Sequence, residues 1–366
     1  MIHSQDRMPP GGNGSGSVTI CIPAFNAEDF IAQTLRSILG QSGVSEVYVS
    51  DNHSTDATME VVRQFQGQGV ALVQCPIMPV KTGDLLDNCR SSINNWNSLV
   101  QYGTGQYVAL YHADDVYEPG IVTAQARFLD RHRECSVVFT MGKAIGENGR
   151  RFRVWNATLS HLLGPERLFD YRGLVQGLLE WGGFLNTPTA MIRREAWRRA
   201  GDLDPHYEQA CDVEWWLRLA KVGPVGVINQ ELYLRRFSRN HDSARTKMIY
   251  RHCPLPLFKV LDDCLDRDGL RAQIPADILR KFELQRTGDL VGQGVLCIAE
   301  GKMQQGIEEL ARCRRLGLLS LARDLRGYPR PVIQILLGEI LWQACRVGCG
   351  LVVARQMAKH SSIFGR

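Results

Sequence analysis

The hydrophobic pattern predicts an α/β fold, a mostly parallel sheet flanked by helices and followed by a C-terminal helical extension. Three observations carry this. Short apolar, β-branched runs alternate with amphipathic segments from residue 18 to residue 132. Acidic residues fall just past two of the apolar runs, where parallel sheets bind ligands. Beyond Met248 the pattern is almost wholly helical.

In chain order, residues 8–17 (MPPGGNGSGS) form a tail with nothing to bury. Its glycines precede the first strand, the wrong order for a phosphate-binding loop. Residues 18–22 read as a buried strand that Pro23 stops. Asn26, Glu28 and Asp29 open a helix carrying Phe30, Ile31, Leu35, Ile38 and Leu39 on one face. Residues 47–50 form a second strand. Ser54 to Asp56 then caps a helix with Met59, Val62 and Phe65. Residues 70–74 are a third strand and 85–102 a helix. Residues 107–111 are a strand ending in His112-Ala113-Asp114-Asp115. Later segments read as a helix at 124–132, a strand at 137–141, a helix at 166–181 and an extended piece at 186–192. Helices at 195–200 and 211–221 and strands at 225–228 and 232–237 follow. The expected division is a disordered tail at 1–17, an α/β domain at 18–248 and a helical region at 249–366.

Composition narrows the class. The 366 residues are 44% hydrophobic and 22% charged, which excludes disorder for the bulk of the chain. Lys and Arg number 43 against 38 Asp and Glu, too small an excess to argue for nucleic acid. From Arg312 onward, however, ten Lys and Arg stand against Asp324 and Glu339 alone, an excess of +8. The 11 Cys contain no C-x-x-C pair, which argues against zinc-ribbon and thioredoxin-like readings. Cys21 and Cys75 lie inside apolar runs, as small buried residues of a reducing cytoplasm would. No apolar signal segment opens the chain, so secretion is not expected.

Four constellations can carry chemistry. Asp51, just past a buried strand, can accept hydrogen bonds from a ligand or cap the next helix. Asp114 and Asp115 offer hard oxygens to Mg²⁺ or Mn²⁺, or form a solvated acidic loop. Asp212, one helical turn from Trp215 and Trp216, suits general-base work or stabilises the helix dipole. Glu214 is expected on the surface. Arg235, Arg236, Arg239 and His241 form a basic loop suited to a diphosphate, with Arg235 and Arg239 reading best as solvated.

The order of these motifs resembles the inverting nucleotide-sugar glycosyltransferases of family two, which have the GT-A fold. Ile22-Pro23-Ala24-Phe25-Asn26 resembles the opening I-P-x-[FY]-N, and Asp51-Asn52-His53-Ser54-Thr55-Asp56 the second motif, D-[DN]-x-S-x-D. Gly105-Gln106-Tyr107 through Asp115, followed by Pro119, resembles G-x-Y, a strand and D-x-D-D. Arg193-Arg194 through Gly201-Asp202-Leu203-Asp204 and the segment from Cys211 to Arg218 complete the series. The resemblance spans about 18–243 and implies a metal-assisted displacement. Pro23, Phe25, Asn26 and Asp51 would bind the donor, with Asp51 at the nucleobase. Asp114 would hold the metal and diphosphate, with Asp115 nearby. Asp212 would be the base, and Arg236 or His241 would meet the diphosphate. His112 stands where the first acid of D-x-D usually lies, and Cys211 replaces another frequent acid. The Q-x-x-R-W signature of processive synthases is absent, so one sugar per visit is expected.

The expected function is sugar transfer from a nucleotide sugar, UDP being the commonest carrier, to a glycan, lipid-linked or other hydroxyl acceptor. Cell-surface polysaccharide or lipopolysaccharide synthesis is the expected setting. The alternative is a non-catalytic nucleotide- or glycan-binding relic of the same fold. A dehydrogenase is disfavoured because Pro23 stands where G-x-G-x-x-G should begin, and a nucleotidyltransferase because its Gly-rich, Arg-containing loop is missing. Residues 332–353 form a mostly apolar stretch with Glu339, Gln343 and Arg346 on one helical face. A charge inside a spanning helix costs about 2.5–3.5 kcal/mol. A core helix and an in-plane helix on the cytoplasmic face of a membrane therefore stay ahead of a spanning one.

Overall fold

The computed structural model describes residues 16–78, 85–152, 163–237, 255–313, 324, 329–346, 350, 353, 354 and 357. Its contacts divide the chain into two units, Met1–Val175 with Gly183–Ser238, and Gln176–Gly182 with Arg239–Arg366.

The first unit begins with alternating strands and helices: β1 (Val18–Ala24), α1 (Ile31–Leu39), β2 (Val44–Asp51), α2 (Thr58–Arg63), β3 (Val70–Gln74), α3 (Leu85–Leu99) and β4 (Tyr107–Leu110). A short β5 (Val116–Tyr117), α4 (Ile121–Arg131), β6 (Val137–Gly146) and β7 (Arg151–Phe152) follow. Then come β8 (Glu166–Phe169), α5 (Tyr171–Trp181), whose residues from Gln176 on belong to the second unit, β9 (Ala190–Arg193), α6 (Arg194–Ala200), α7 (Cys211–Val222) and β10 (Val225–Phe237). The sheet order is β3-β2-β1-β4-β9-β6-β10-β5, with β7 on β6 and β8 on β10. Strands β3, β2, β1 and β4 are mutually parallel, as the alternation predicts. Antiparallel pairs enter with β9, β5, β7 and β8, although β6 and β10 run parallel.

Two elements differ from the sequence reading. Residues 166–169 were expected to start a helix but pair with β10 instead. The two strands expected at 225–237 are one strand whose register shifts between Ile228 and Tyr233, so their apolar periodicity breaks in the middle.

The core is the expected apolar set. Ile20 and Ile22 of β1, Ile31, Leu35 and Ile38 of α1, and Val49 of β2 are fully buried. The chain winds outward from β1 through β2 to β3, then returns to place β4 on the other side of β1. That reversal is a topological switch point, where open α/β sheets bind ligands. Registers Ala24↔Asp51 and Cys21↔Leu110 put the C-terminal ends of β2 and β4 at the same edge.

Backbone clamps fix the opposite, N-terminal end of β1 and β4. A Cβ at Gly105 would lie 2.7 Å from the Thr19 nitrogen and 2.8 Å from the Ser17 carbonyl, so only glycine fits there. Arg194 donates to the carbonyls of Gly105 and Val100, and Arg193 to those of Cys135 and Leu129. The paired arginines therefore tie loops to the sheet.

In the second unit, α8 (Pro256–Arg267), α9 (Ala276–Ala299), α10 (Met303–Cys313) and α11 (Pro329–Arg346) are helical. Leu284, Val291, Val295 and Ile298 of α9 form a core with Leu310 and with Val332, Ile335 and Leu341 of α11. On α11, Ile333 and Ile340 are 43% and 57% exposed, and the amide of Gln343 donates to Glu339. Among the described residues no helix is long and apolar enough to cross a membrane.

Candidate active site

The first strand end supplies a polar cradle. Asp51 closes β2 and is fully buried. Its Oδ2 accepts from the Ser54 N–H at 3.1 Å, while its buried Oδ1 has no hydrogen-bond partner. An unpartnered buried acceptor is costly, so such an atom points to a donor that arrives from outside. The loop after β1 is pinned to the loop after β2. Asn26 Oδ1 accepts from the Thr55 N–H at 2.8 Å, and its own N–H donates to Ser54 Oγ at 3.0 Å. Asn26 and His53 adopt positive φ (46° and 61°), strained conformations for non-glycine residues. Phe25, the residue before Asn26, is 37% exposed, an aromatic left on the surface.

The second strand end is built on stacked tyrosines. Tyr111 and Tyr117 stack with centroids 3.9 Å apart, and Tyr233 lies 5.9 Å from Tyr117. The Tyr117 hydroxyl accepts from the His112 N–H at 2.7 Å. The Tyr233 hydroxyl donates to Asp115 Oδ2 at 2.8 Å, and Asp115 Oδ1 accepts from the Arg236 N–H at 2.7 Å. Burial, reinforced by the Asp115 charge, pushes the Tyr233 hydroxyl well above its ordinary range. His112, Asp114 and Asp115 bring their ligand atoms within 4.8 Å of one another. Two carboxylates and an imidazole form a donor set that suits Mn²⁺ and related divalent ions. The set therefore fits the expected metal and adds His112, which the sequence reading noted only as a departure. Asp115, buried with both oxygens engaged, also anchors the loop to β10.

The third carboxylate stands in the first turn of α7. Asp212 Oδ1 accepts from the Val213 N–H at 2.7 Å, and Oδ2 accepts from the Thr187 hydroxyl at 2.9 Å. Desolvation raises its pKa above the ordinary carboxylate value. The two hydrogen bonds and the Arg235 charge act in the opposite direction. A base with an elevated pKa is poised for proton transfer nearer neutral pH. Cys211 is buried, and its thiol is held far up by that burial, so it has no acid–base role.

Glu214 is not on the surface as expected. It is buried and pairs with Arg218, whose Nε lies 2.9 Å from both carboxylate oxygens. Arg218 also donates to the Ala200 and Asp202 carbonyls, and Trp215 donates to that of Gly201. Gly201 has φ +76°, which a side chain would disfavour. Gly201 and this acid–arginine pair therefore set the position of α7.

Arg236, expected to meet a diphosphate, is buried with its guanidinium engaged inside the protein. Its Nε donates to the Asp114 carbonyl at 2.8 Å, and its two terminal nitrogens donate to the Gly146 and Glu147 carbonyls and to Gln33. The guanidinium also stacks 4.6 Å over Phe30. It is a buried clamp on the Asp114 loop. Arg235, its exposed neighbour, is the one whose charge reaches Asp212. His241 lies outside the described residues. Thr187 gave no sequence signal, since a lone Thr in N-T-P-T reads as an ordinary turn.

Known proteins provide an independent comparison. The model of Glycosyl transferase family 2 matches residues 19–200. The putative glycosyltransferase EpsE of Bacillus subtilis is 25% identical over 290 residues, 75% of this chain and 95% of that protein. The putative teichuronic acid biosynthesis glycosyltransferase TuaG of the same organism is 24% identical over 210 residues, 56% of this chain and 73% of its own. Among solved structures, S. aureus TarS 1–349 in complex with UDP aligns with a TM-score of 0.50 at 16% identity, covering 91% of this chain and 92% of that one.

Proposed function

We propose, from the premise that the chain belongs to glycosyltransferase family 2 and is a nucleotide-sugar glycosyltransferase of α/β fold, that it moves one sugar at a time from a UDP-sugar to a hydroxyl acceptor, with inversion at the anomeric carbon. The observation that carries the reading is the unpartnered, buried Oδ1 of Asp51 at the switch point of the sheet. An imide N–H of a uracil ring is the donor that would satisfy it, and Phe25 offers a face for stacking. The UDP held by the TarS neighbour supports the choice of uridine.

Asp114, His112 and Asp115 would hold a divalent ion at the diphosphate. When bound, that ion supplies positive charge against the leaving group. Arg235 takes the role first expected of Arg236 and supplies a further cation beside the developing charge. Asp212 removes the proton from the acceptor hydroxyl, whose oxygen attacks the anomeric carbon from the side opposite the diphosphate. The C1–O bond to the diphosphate breaks as the new C1–O bond forms. The acceptor is a growing surface glycan or its lipid-linked precursor, a setting supported by the similarity to TuaG, a putative teichuronic acid biosynthesis glycosyltransferase.

Calorimetric titration with UDP in the presence of Mn²⁺ tests the donor site. Wild type should bind, Asp51→Ala should weaken binding at least tenfold, and Asp114→Ala should remove the Mn²⁺ dependence. Unchanged UDP binding in both variants would remove the donor assignment. Release of UDP from a panel of UDP-sugars separates an enzyme from a binding relic.

A further inference from the structure

Asp212 sits where two segments far apart in sequence meet. Thr187 lies in a single turn, Thr187–Thr189, just before β9, and is buried. Its hydroxyl crosses to α7 and donates to Asp212 Oδ2 at 2.9 Å. The Val213 N–H takes the other oxygen at 2.7 Å. Together they engage each carboxylate oxygen once, and each oxygen has a second lone pair. A free carboxylate would rotate about its Cβ–Cγ bond. This one is held in one plane from two directions.

Resting on the reading of Asp212 as the base, we propose that Thr187 is its positioning residue: the hydroxyl fixes the carboxylate plane and favours the charged form that accepts the acceptor proton. A hydroxyl donor stabilises carboxylate over carboxylic acid. Without it, desolvation acts on Asp212 with less opposition. The remaining groups around the carboxylate are Arg235 on β10, which favours the charged form, and the Cys211 thiol on its own helix, buried and neutral. Glu214 is already paired with Arg218. Thr187 is therefore the neutral side chain set against the desolvation cost.

The test uses the full-length chain and needs no knowledge of the acceptor. Thermal stability is measured against pH for wild type, Thr187→Val, Thr187→Ala and Thr187→Ser, each also in an Asp212→Asn background. Valine matches threonine in shape, so its packing cost should be constant with pH. The proposal expects the Val and Ala variants to lose more stability at neutral pH than in acid. Serine should restore the wild-type profile, and the pH dependence should vanish in the Asp212→Asn background. A pH-independent loss would overturn the proposal. In parallel, UDP release from UDP-glucose and UDP-N-acetylglucosamine is followed against pH. Thr187→Val should lower kcat about tenfold, since hydrogen bonds to charged groups are among the stronger ones. The acidic limb should move upward while donor KM stays unchanged. A wild-type limb and kcat would also overturn the proposal. Failure of the base reading is distinguishable, because Asp212→Asn would then retain turnover whatever Thr187 does.

Discussion

Asp212 is expensive to keep charged. Burial raises its folded pKa above the unfolded value, so the native state holds that proton more tightly than the unfolded chain does. The corresponding stability is fully present below the unfolded pKa and is lost as pH rises through the folded one. Asp212→Asn carries no charge at any pH. It should therefore melt higher than wild type at neutral pH, with the gap closing in acid, as scanning calorimetry at several pH values would show. Its turnover should fall by about 10²–10⁴-fold, with UDP affinity within a few-fold of wild type. Joint loss of UDP binding and turnover would make Asp212 a donor-binding group instead. His112 allows a second residue-scale prediction. An imidazole among carboxylates favours Mn²⁺ over Mg²⁺. Electron spin-echo spectra of the Mn²⁺–UDP complex should show ¹⁴N coupling that disappears in His112→Asp, while Mg²⁺ binding improves. Unchanged nitrogen coupling in that variant would remove His112 from the metal shell.

At the scale of elements, β10 shows what sequence could and could not fix. Successive side chains on a strand point to opposite faces, so Arg235 and Arg236 cannot share a role. Their sequence offers no means of telling which one faces inward. The structure turns Arg236 onto the Asp114 carbonyl, Gly146, Glu147 and Gln33, and leaves Arg235 exposed. The parallel half of the sheet was legible because buried β-branched runs at Val18, Val47 and Val70 alternate with amphipathic helices. The antiparallel partners were not. Glu166–Phe169 is short, largely exposed and, among the described residues, paired only with β10, a long-range contact that leaves little local pattern. Asp51, Asp114 and Asp212 were legible because each follows a strand end or opens a helix. The partner of Thr187 and the burial of the i,i+4 pair Glu214–Arg218 depend on tertiary neighbours and carry no such mark. The clamp makes its own prediction. Arg236→Met keeps a long side chain but leaves the Asp114, Gly146 and Glu147 carbonyls without that donor. A loss of about 1–3 kcal/mol is expected from urea unfolding, accompanied by weaker Mn²⁺-dependent UDP binding as the Asp114 loop loosens. If stability holds while only UDP binding falls, Arg236 contacts the donor after all.

For the whole molecule, chemistry and charge are unevenly spread. Every described site residue lies in the first unit, whereas the +8 excess from Arg312 onward lies in the second. The α11 helix there divides the readings left open by its composition. Val332, Ile335 and Leu341 are core residues, so the helix is structural on one side. Ile333 and Ile340 lie seven residues apart, nearly two helical turns, and remain exposed. Large aliphatic side chains on the surface of a basic segment suit docking on an anionic bilayer, where apolar insertion and charge attraction add. Such docking would bring the enzyme to a lipid-linked acceptor. Cosedimentation with phosphatidylglycerol-containing vesicles should show binding that weakens as salt rises, because screening shortens the reach of the Arg and Lys charges. Ile333→Glu with Ile340→Glu should reduce binding strongly without lowering the melting temperature, since neither side chain is in the core. Leu341→Ala should do the reverse, lowering stability by about 2–5 kcal/mol through the cavity it leaves, while vesicle binding at temperatures below melting persists. Indifference of the intact chain to vesicles at low salt would leave α11 as a structural helix alone, and the sugar-transfer chemistry of the first unit would stand without it.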